Sequence, residues 1–160
     1  MDRSPIYSAI KTYIRENNLR CHMPGHIGGQ GMVAELKAAA RLDVTEVPGL
    51  DDFHLPRQAI KKARRLLSEA YGAENSLFLV NGATSGIHAF FLSLPADTSV
   101  LIPRNAHRSF YGGMVLSGAW PVYIPPLMVE ELGIAITVMP DAISRSLEDN
   151  AEVEAVFMVS

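Results

Sequence analysis

The sequence predicts an α/β protein, a mostly parallel sheet with helices on both faces, preceded by an N-terminal helical arm. Three observations carry this. From residue 76 onward, short β-branched and aromatic runs alternate with helix-like stretches, the pattern of strand–helix–strand units. Those runs, such as Leu77-Phe78-Leu79-Val80 and Val100-Leu101-Ile102, are apolar throughout, which suits strands buried on both faces of a parallel sheet. Between the first such run and the helix-like Ile87–Leu92 lies Asn81-Gly82-Ala83-Thr84-Ser85-Gly86, a glycine-rich turn of the kind that opens a helix at a sheet edge.

Taken in order, Ser4-Pro5 is a helix start, with Ser at the N-cap and Pro at the first helical position. Ile6, Ala9, Ile10, Tyr13 and Ile14 share one face, and Asn17-Asn18 ends the helix. The stretch Cys21–Gly31 is too rich in Gly and Pro for regular structure. An alanine-rich helix over Met32–Arg41 follows, then an extended connector, Leu42–Asp52. Pro56 opens a helix with Ala59, Ile60, Ala63, Leu66, Leu67 and Ala70 as its buried stripe, stopped by Gly72. The remainder reads as strand Ser76–Val80, helix Thr84–Ser93, strand Val100–Pro103, helix His107–Ser117, strand Trp120–Ile124, helix Asp141–Glu148 and strand Ala155–Val159. Residues 1–55 form the arm and connector, and 56–160 the sheet-containing domain. That domain is expected to be incomplete: Val156–Ser160 reads as a central strand with nothing after it to cover it, as in the front part of a longer protein.

Composition narrows the function. The chain has 160 residues, 48% apolar and 19% charged, with net charge −3, the profile of a globular domain without a nucleic-acid footprint. Lys61-Lys62 and Arg64-Arg65 read as a solvated helix face. One cysteine, Cys21, cannot form an internal disulfide, and neither a signal peptide nor a membrane-length apolar run is visible, so a cytoplasmic location is expected.

The turn at residues 81–86 carries the chemistry. Free backbone N–H groups, two adjacent hydroxyls and the positive end of a helix dipole are what a phosphate needs. The same residues also suit a plain helix cap, with Thr84 or Ser85 at the N-cap. His107 follows the next strand at the same sheet edge, where parallel α/β sheets bind ligands. His22 and His26 flank Pro24-Gly25, which rules out a metal-binding helix, and that loop reads as packing and subunit contact. His54 and His88 read as ordinary half-buried residues. Asp51-Asp52 are read as caps of the helix that follows.

Four segments together resemble the Orn/Lys/Arg decarboxylase family, pyridoxal-phosphate enzymes of the aminotransferase-like fold (fold type I). They are His22-Met23-Pro24-Gly25-His26, Asp43–Asp52 (Asp-Val-Thr-Glu-Val-Pro-Gly-Leu-Asp-Asp), Asn81–Gly86 and Arg104-Asn105-Ala106-His107-Arg108-Ser109. The resemblance runs from about residue 4 to the end. It implies pyridoxal 5′-phosphate as cofactor, with Ala83, Thr84 and Ser85 around its phosphate and His107 stacked on its ring. It departs from the family at Ile27, where a lysine is usual. It further implies a basic amino acid substrate (ornithine, lysine or arginine) decarboxylated to a diamine or agmatine, and a homodimer or higher oligomer. The Schiff-base lysine of the family lies beyond this stretch in a Ser-x-His-Lys context; Lys11, Lys37, Lys61 and Lys62 do not match it, so no catalytic residue is assigned here and the 160 residues alone are expected to be inactive. Rival readings are another fold type I enzyme, such as an aminotransferase, and a non-catalytic α/β module that binds a phosphorylated ligand.

Overall fold

A computed structural model describes residues 2–158; Val159 and Ser160, the end of the last expected strand, lie outside them. The chain forms two compact units, Met1–Phe78 and Leu79–Ser160.

The first unit is helical. Helix α1 (Pro5–Glu16) has Pro at its start and ends where Asn17 turns left-handed at φ 52°. Ser4 occupies the N-cap position but its side chain makes no capping bond; instead the Ser4 N–H donates to Asp2 Oδ1 at 2.9 Å. Helix α2 (Ala34–Leu42) and helix α3 (Ala59–Tyr71) both pack on α1. Tyr13 and Ala40 are its most buried apolar side chains. Helix α3 starts three residues later than Pro56 predicts, because its cap comes from upstream. The Asp51 carboxylate accepts the N–H groups of Arg57 and Gln58 at 2.8 Å, Ile60 at 2.9 Å and Lys61 at 3.4 Å. Ile60 and Lys61 lie in the first helical turn, where N–H groups have no intrahelical acceptor, and Arg57 and Gln58 lead into it. Burial pushes the Asp51 carboxyl upward, but the four backbone donors outweigh it and hold its pKa at about 2. Asp52 caps its own loop, accepting from His54 and Leu55 at 2.7 and 3.0 Å. The capping role expected of this pair is present, and Asp51 performs the part that starts the helix. At the other end Gly72 adopts φ 63°, the left-handed stop that glycine takes without strain.

The second unit is the α/β part. Helix α4 (Gly82–Ser93) leads to strand β1 (Ser99–Pro103), helix α5 (Arg108–Ser117) and strand β2 (Trp120–Ile124). A short antiparallel hairpin, β3 (Met128–Val129) and β4 (Ile134–Ala135), precedes helix α6 (Pro140–Asp149) and strand β5 (Val153–Val156). The sheet order is β2-β1-β5, all parallel. Side chains alternate across β1. Val100 and Ile102 pack with Phe91 of α4 and with Phe110 and Met114 of α5. Leu101 packs oppositely, with Ile124 and Val138 and beside Ala142 and Ile143 of α6. Helices thus cover both faces of β1, as its unbroken apolar run implies.

Some expectations are corrected here. The last strand is Val153–Val156 rather than Ala155–Val159, and it lies at an edge of the described sheet rather than in its centre. Ser76–Val80 forms no strand: no ladder partner lies beside it among the described residues, and Leu77, Leu79 and Val80 are exposed. A β-branched apolar run supplies propensity, but a strand needs a neighbour to accept its hydrogen bonds. The hairpin at 128–135 also went unpredicted; two-residue strands leave no periodicity to read. No described helix is long and apolar enough to cross a membrane.

Candidate functional site

The turn at residues 81–86 starts its helix two residues earlier than predicted. Asn81 is the N-cap, and its side chain makes no capping hydrogen bond. Ala83 and Thr84 therefore fall in the first turn, where backbone N–H groups have no intrahelical acceptor. This removes the reading of Thr84 or Ser85 as the cap. Gly82 sits at φ 72° with nothing within 4 Å of where a Cβ would be. Its glycine is required by the left-handed backbone, not by crowding. Ser85 behaves differently from its neighbour, since its Oγ donates to the Gly82 carbonyl at 2.7 Å. Its proton is thereby directed into its own helix.

Ala83, Thr84, Ile87, His107, Ser109, Phe110 and Met158 line a cleft of about 420 Å³. The fold brings three of the four expected site residues, Ala83, Thr84 and His107, to one place; Ser85 stands one step along the helix from the lining. Helices α4 and α5 pack against each other and both start at the edge where the β1 strand ends, which is why residues 24 positions apart meet.

His107 is the N-cap of α5. Its Nδ1 lies 2.8 Å from Ser109 Oγ and accepts the Ser109 N–H at 3.3 Å. The ring is exposed at the cleft. A histidine that merely caps a helix and one that presents its face to a ligand are thus compatible in the same residue. Ser109, 4% exposed, was not singled out from the sequence; the spacing His-x-Ser, a cap residue and a donor two positions on, was its only signal.

His22 and His26 serve packing. Tyr13 Oη lies 2.6 Å from His22 Nε2, and His22 Nδ1 lies 2.6 Å from the Met23 carbonyl. A carbonyl only accepts, so His22 Nδ1 donates and its Nε2 accepts from the tyrosine. His26 accepts the Gly29 N–H at Nδ1 and faces Asp43 Oδ2 at 3.2 Å through Nε2. The two histidines brace the Gly/Pro loop onto α1 and the connector, and no group of metal-binding side chains occurs among the described residues. His88 is half-buried as expected, whereas His54 is exposed. No lysine is among the residues lining the cleft. Where Thr45 donates to Glu46, that hydrogen bond holds the Glu46 carboxyl below its ordinary pKa.

Residues 4–159 match the family described as Orn/Lys/Arg decarboxylase, major domain. Among individual proteins, the chain is 39% identical over 151 residues to the uncharacterized YaaO of Bacillus subtilis, covering 91% of this chain and 31% of that one. It is 31% identical to the arginine decarboxylase of the same organism, covering 98% of this chain and 33% of the relative. The fold is similar to that of the Escherichia coli constitutive lysine decarboxylase, with TM-score 0.72 at 23% identity over 96% of this chain and 24% of that one. The chain spans about a third of the length of the curated relatives it matches.

Proposed function

The chain belongs to the Orn/Lys/Arg decarboxylase family, and on that premise we propose that it contributes the phosphate and ring-stacking half of a pyridoxal 5′-phosphate site. The observation that carries the reading is the cleft shared by Ala83, Thr84 and His107. Its residues fit the group. The amides of the first α4 turn are uncapped by Asn81, the Thr84 hydroxyl stands among them, and the helix dipole favours an anion there. Ser85 contributes after its hydroxyl turns away from the Gly82 carbonyl. The flat His107 ring, which lines the cleft, would offer its face to the coenzyme ring. When bound, the coenzyme supplies an electron sink for loss of a carboxylate; this chain's residues anchor and orient it.

The reaction proposed for the whole protein is removal of the α-carboxylate of arginine, lysine or ornithine. Its support is family membership together with relatives named arginine and lysine decarboxylases. The sheet then corresponds to the front of a fold type I large domain. A homodimer or higher oligomer is part of the proposal, with α1 and the His22–Gly31 loop as contact segments. The test is direct: incubate the full-length protein with each of the three amino acids and coenzyme, and measure carbon dioxide and the amine. Release from one of them, abolished by Thr84→Ala with His107→Ala, supports the reading. No release from any, with coenzyme demonstrably bound, overturns it.

A further inference from the structure

We infer that Ser109 is a positioning residue that sets the tautomer and orientation of His107 before any ligand arrives. The inference rests on the proposed coenzyme site for its purpose but not for its geometry. The Ser109 N–H can only donate, and it reaches His107 Nδ1 at 3.3 Å. Nδ1 therefore carries a lone pair, and a neutral ring carries its proton on Nε2. The Ser109 hydroxyl, 2.8 Å from the same nitrogen, must then donate as well. Two donors from one residue converge on Nδ1. The alternative tautomer would place a proton against the backbone N–H.

The fold holds this arrangement rigidly. Ser109 is 4% exposed and stands next to Phe110, also 4% exposed, in the aromatic cluster with Phe91 and Phe157. The serine is anchored by the core, while the histidine it holds lines the open cleft with Ala83 and Thr84. The ring faces and the Nε2–H stay available to a ligand, because the other nitrogen is engaged from inside the protein. A ring oriented in advance loses less freedom when it stacks. Helix capping alone would be met by the Ser109 N–H bond; the added hydroxyl is what a positioning role requires.

The experiment reads the imidazole directly, without coenzyme. Nitrogen-15 NMR of His107 at neutral pH in the wild-type chain should show an unprotonated Nδ1 and a protonated Nε2. Ser109→Ala keeps the backbone N–H donor at 3.3 Å but loses the shorter hydroxyl bond at 2.8 Å. It should leave the Nε2–H form dominant while raising a measurable minor fraction protonated on Nδ1, and Ser109→Thr, which keeps the hydroxyl, should restore the wild-type pattern. In the coenzyme-binding protein, Ser109→Ala should weaken pyridoxal 5′-phosphate by roughly threefold to tenfold, as loss of one hydrogen bond does, with Ser109→Thr recovering most of it. A protonated Nδ1 in the wild type, or an unchanged tautomer ratio in Ser109→Ala, overturns the inference whatever binds in the cleft. A coenzyme that fails to bind wild-type protein while the NMR pattern holds defeats the proposed function and leaves the tautomer assignment standing.

Discussion

Gly113 of α5 lies against Phe91 of α4 so closely that a Cβ on the glycine would stand 2.4 Å from Phe91 Cδ2 and 2.9 Å from Cγ. Phe91 is fully buried and stacks on Phe157, centroids 5.7 Å apart and planes within 10°. It has nowhere to retreat. This missing side chain sets how near α4 and α5 approach, and so how near Ala83 and Thr84 come to His107.

Gly113→Ala should therefore destabilise the protein by about 1–3 kcal/mol, the usual cost of overpacking a filled core. Denaturant unfolding measures it. Gly118, at φ 77° with open space around its Cβ position, provides the contrast. Alanine there meets only backbone strain, about 1 kcal/mol. A Gly113→Ala variant as stable as wild type would show that the helices can separate.

Asp51 predicts a pH dependence. Its folded pKa is about 2 against an ordinary 3.8, so the sign is that of a depressed carboxylate. The stability it contributes is fully present above about pH 4 and is lost as pH falls through 2. Asp51→Ala should cost about 1 kcal/mol at neutral pH, as loss of a helix cap does. The gap to wild type should narrow progressively below pH 4. A gap that stays constant to pH 2 would mean the carboxylate is not the cap.

Tyr13→Phe should lower stability by about 0.5–1.5 kcal/mol, because it removes the donor to His22 Nε2 from a part-buried pair. His22→Ala in the Tyr13→Phe background should then cost less than in wild type. Equal costs in the two backgrounds, read by a double-mutant cycle, would show that the pair is not coupled.

Much of this was legible in the residues. β2 falls on Trp120–Ile124 as predicted, and β1 extends its prediction by one residue to Ser99; β1, the central strand of the described sheet, announces itself by an unbroken apolar run. Asp51 as a cap, and the loops closing at Asn17 and Gly72, follow from turn chemistry that acts within a few residues. What failed depended on partners remote in sequence. Ser76–Val80 has strand propensity but no neighbouring strand among the described residues. At the site, the types and order of Ala83, Thr84 and His107 pointed to one cleft. The commitment of the Ser85 hydroxyl to Gly82 and the grip of Ser109 on His107 did not show, since both are choices of rotamer rather than of residue.

The hydroxyls of the turn should accordingly differ. Thr84→Ala should weaken pyridoxal 5′-phosphate by about 10- to 100-fold, the cost of a hydrogen bond to a charged group. Ser85→Ala should cost less, because its hydroxyl must first leave the Gly82 carbonyl. His107→Ala should cost about 1 kcal/mol, the scale of one aromatic stack. Isothermal titration of the three variants ranks them; a Ser85 variant worse than the Thr84 variant would reverse the assignment.

The anchoring of the coenzyme phosphate is tested most directly by comparing pyridoxal 5′-phosphate with pyridoxal, which lacks the phosphate, as stabilisers of the purified 160-residue chain in a thermal melt. The phosphorylated form should raise the melting temperature, pyridoxal should not, and the rise should disappear when Thr84 and Ser85 are both alanine. Equal shifts from the two compounds, or a rise that survives the double substitution, would contradict it.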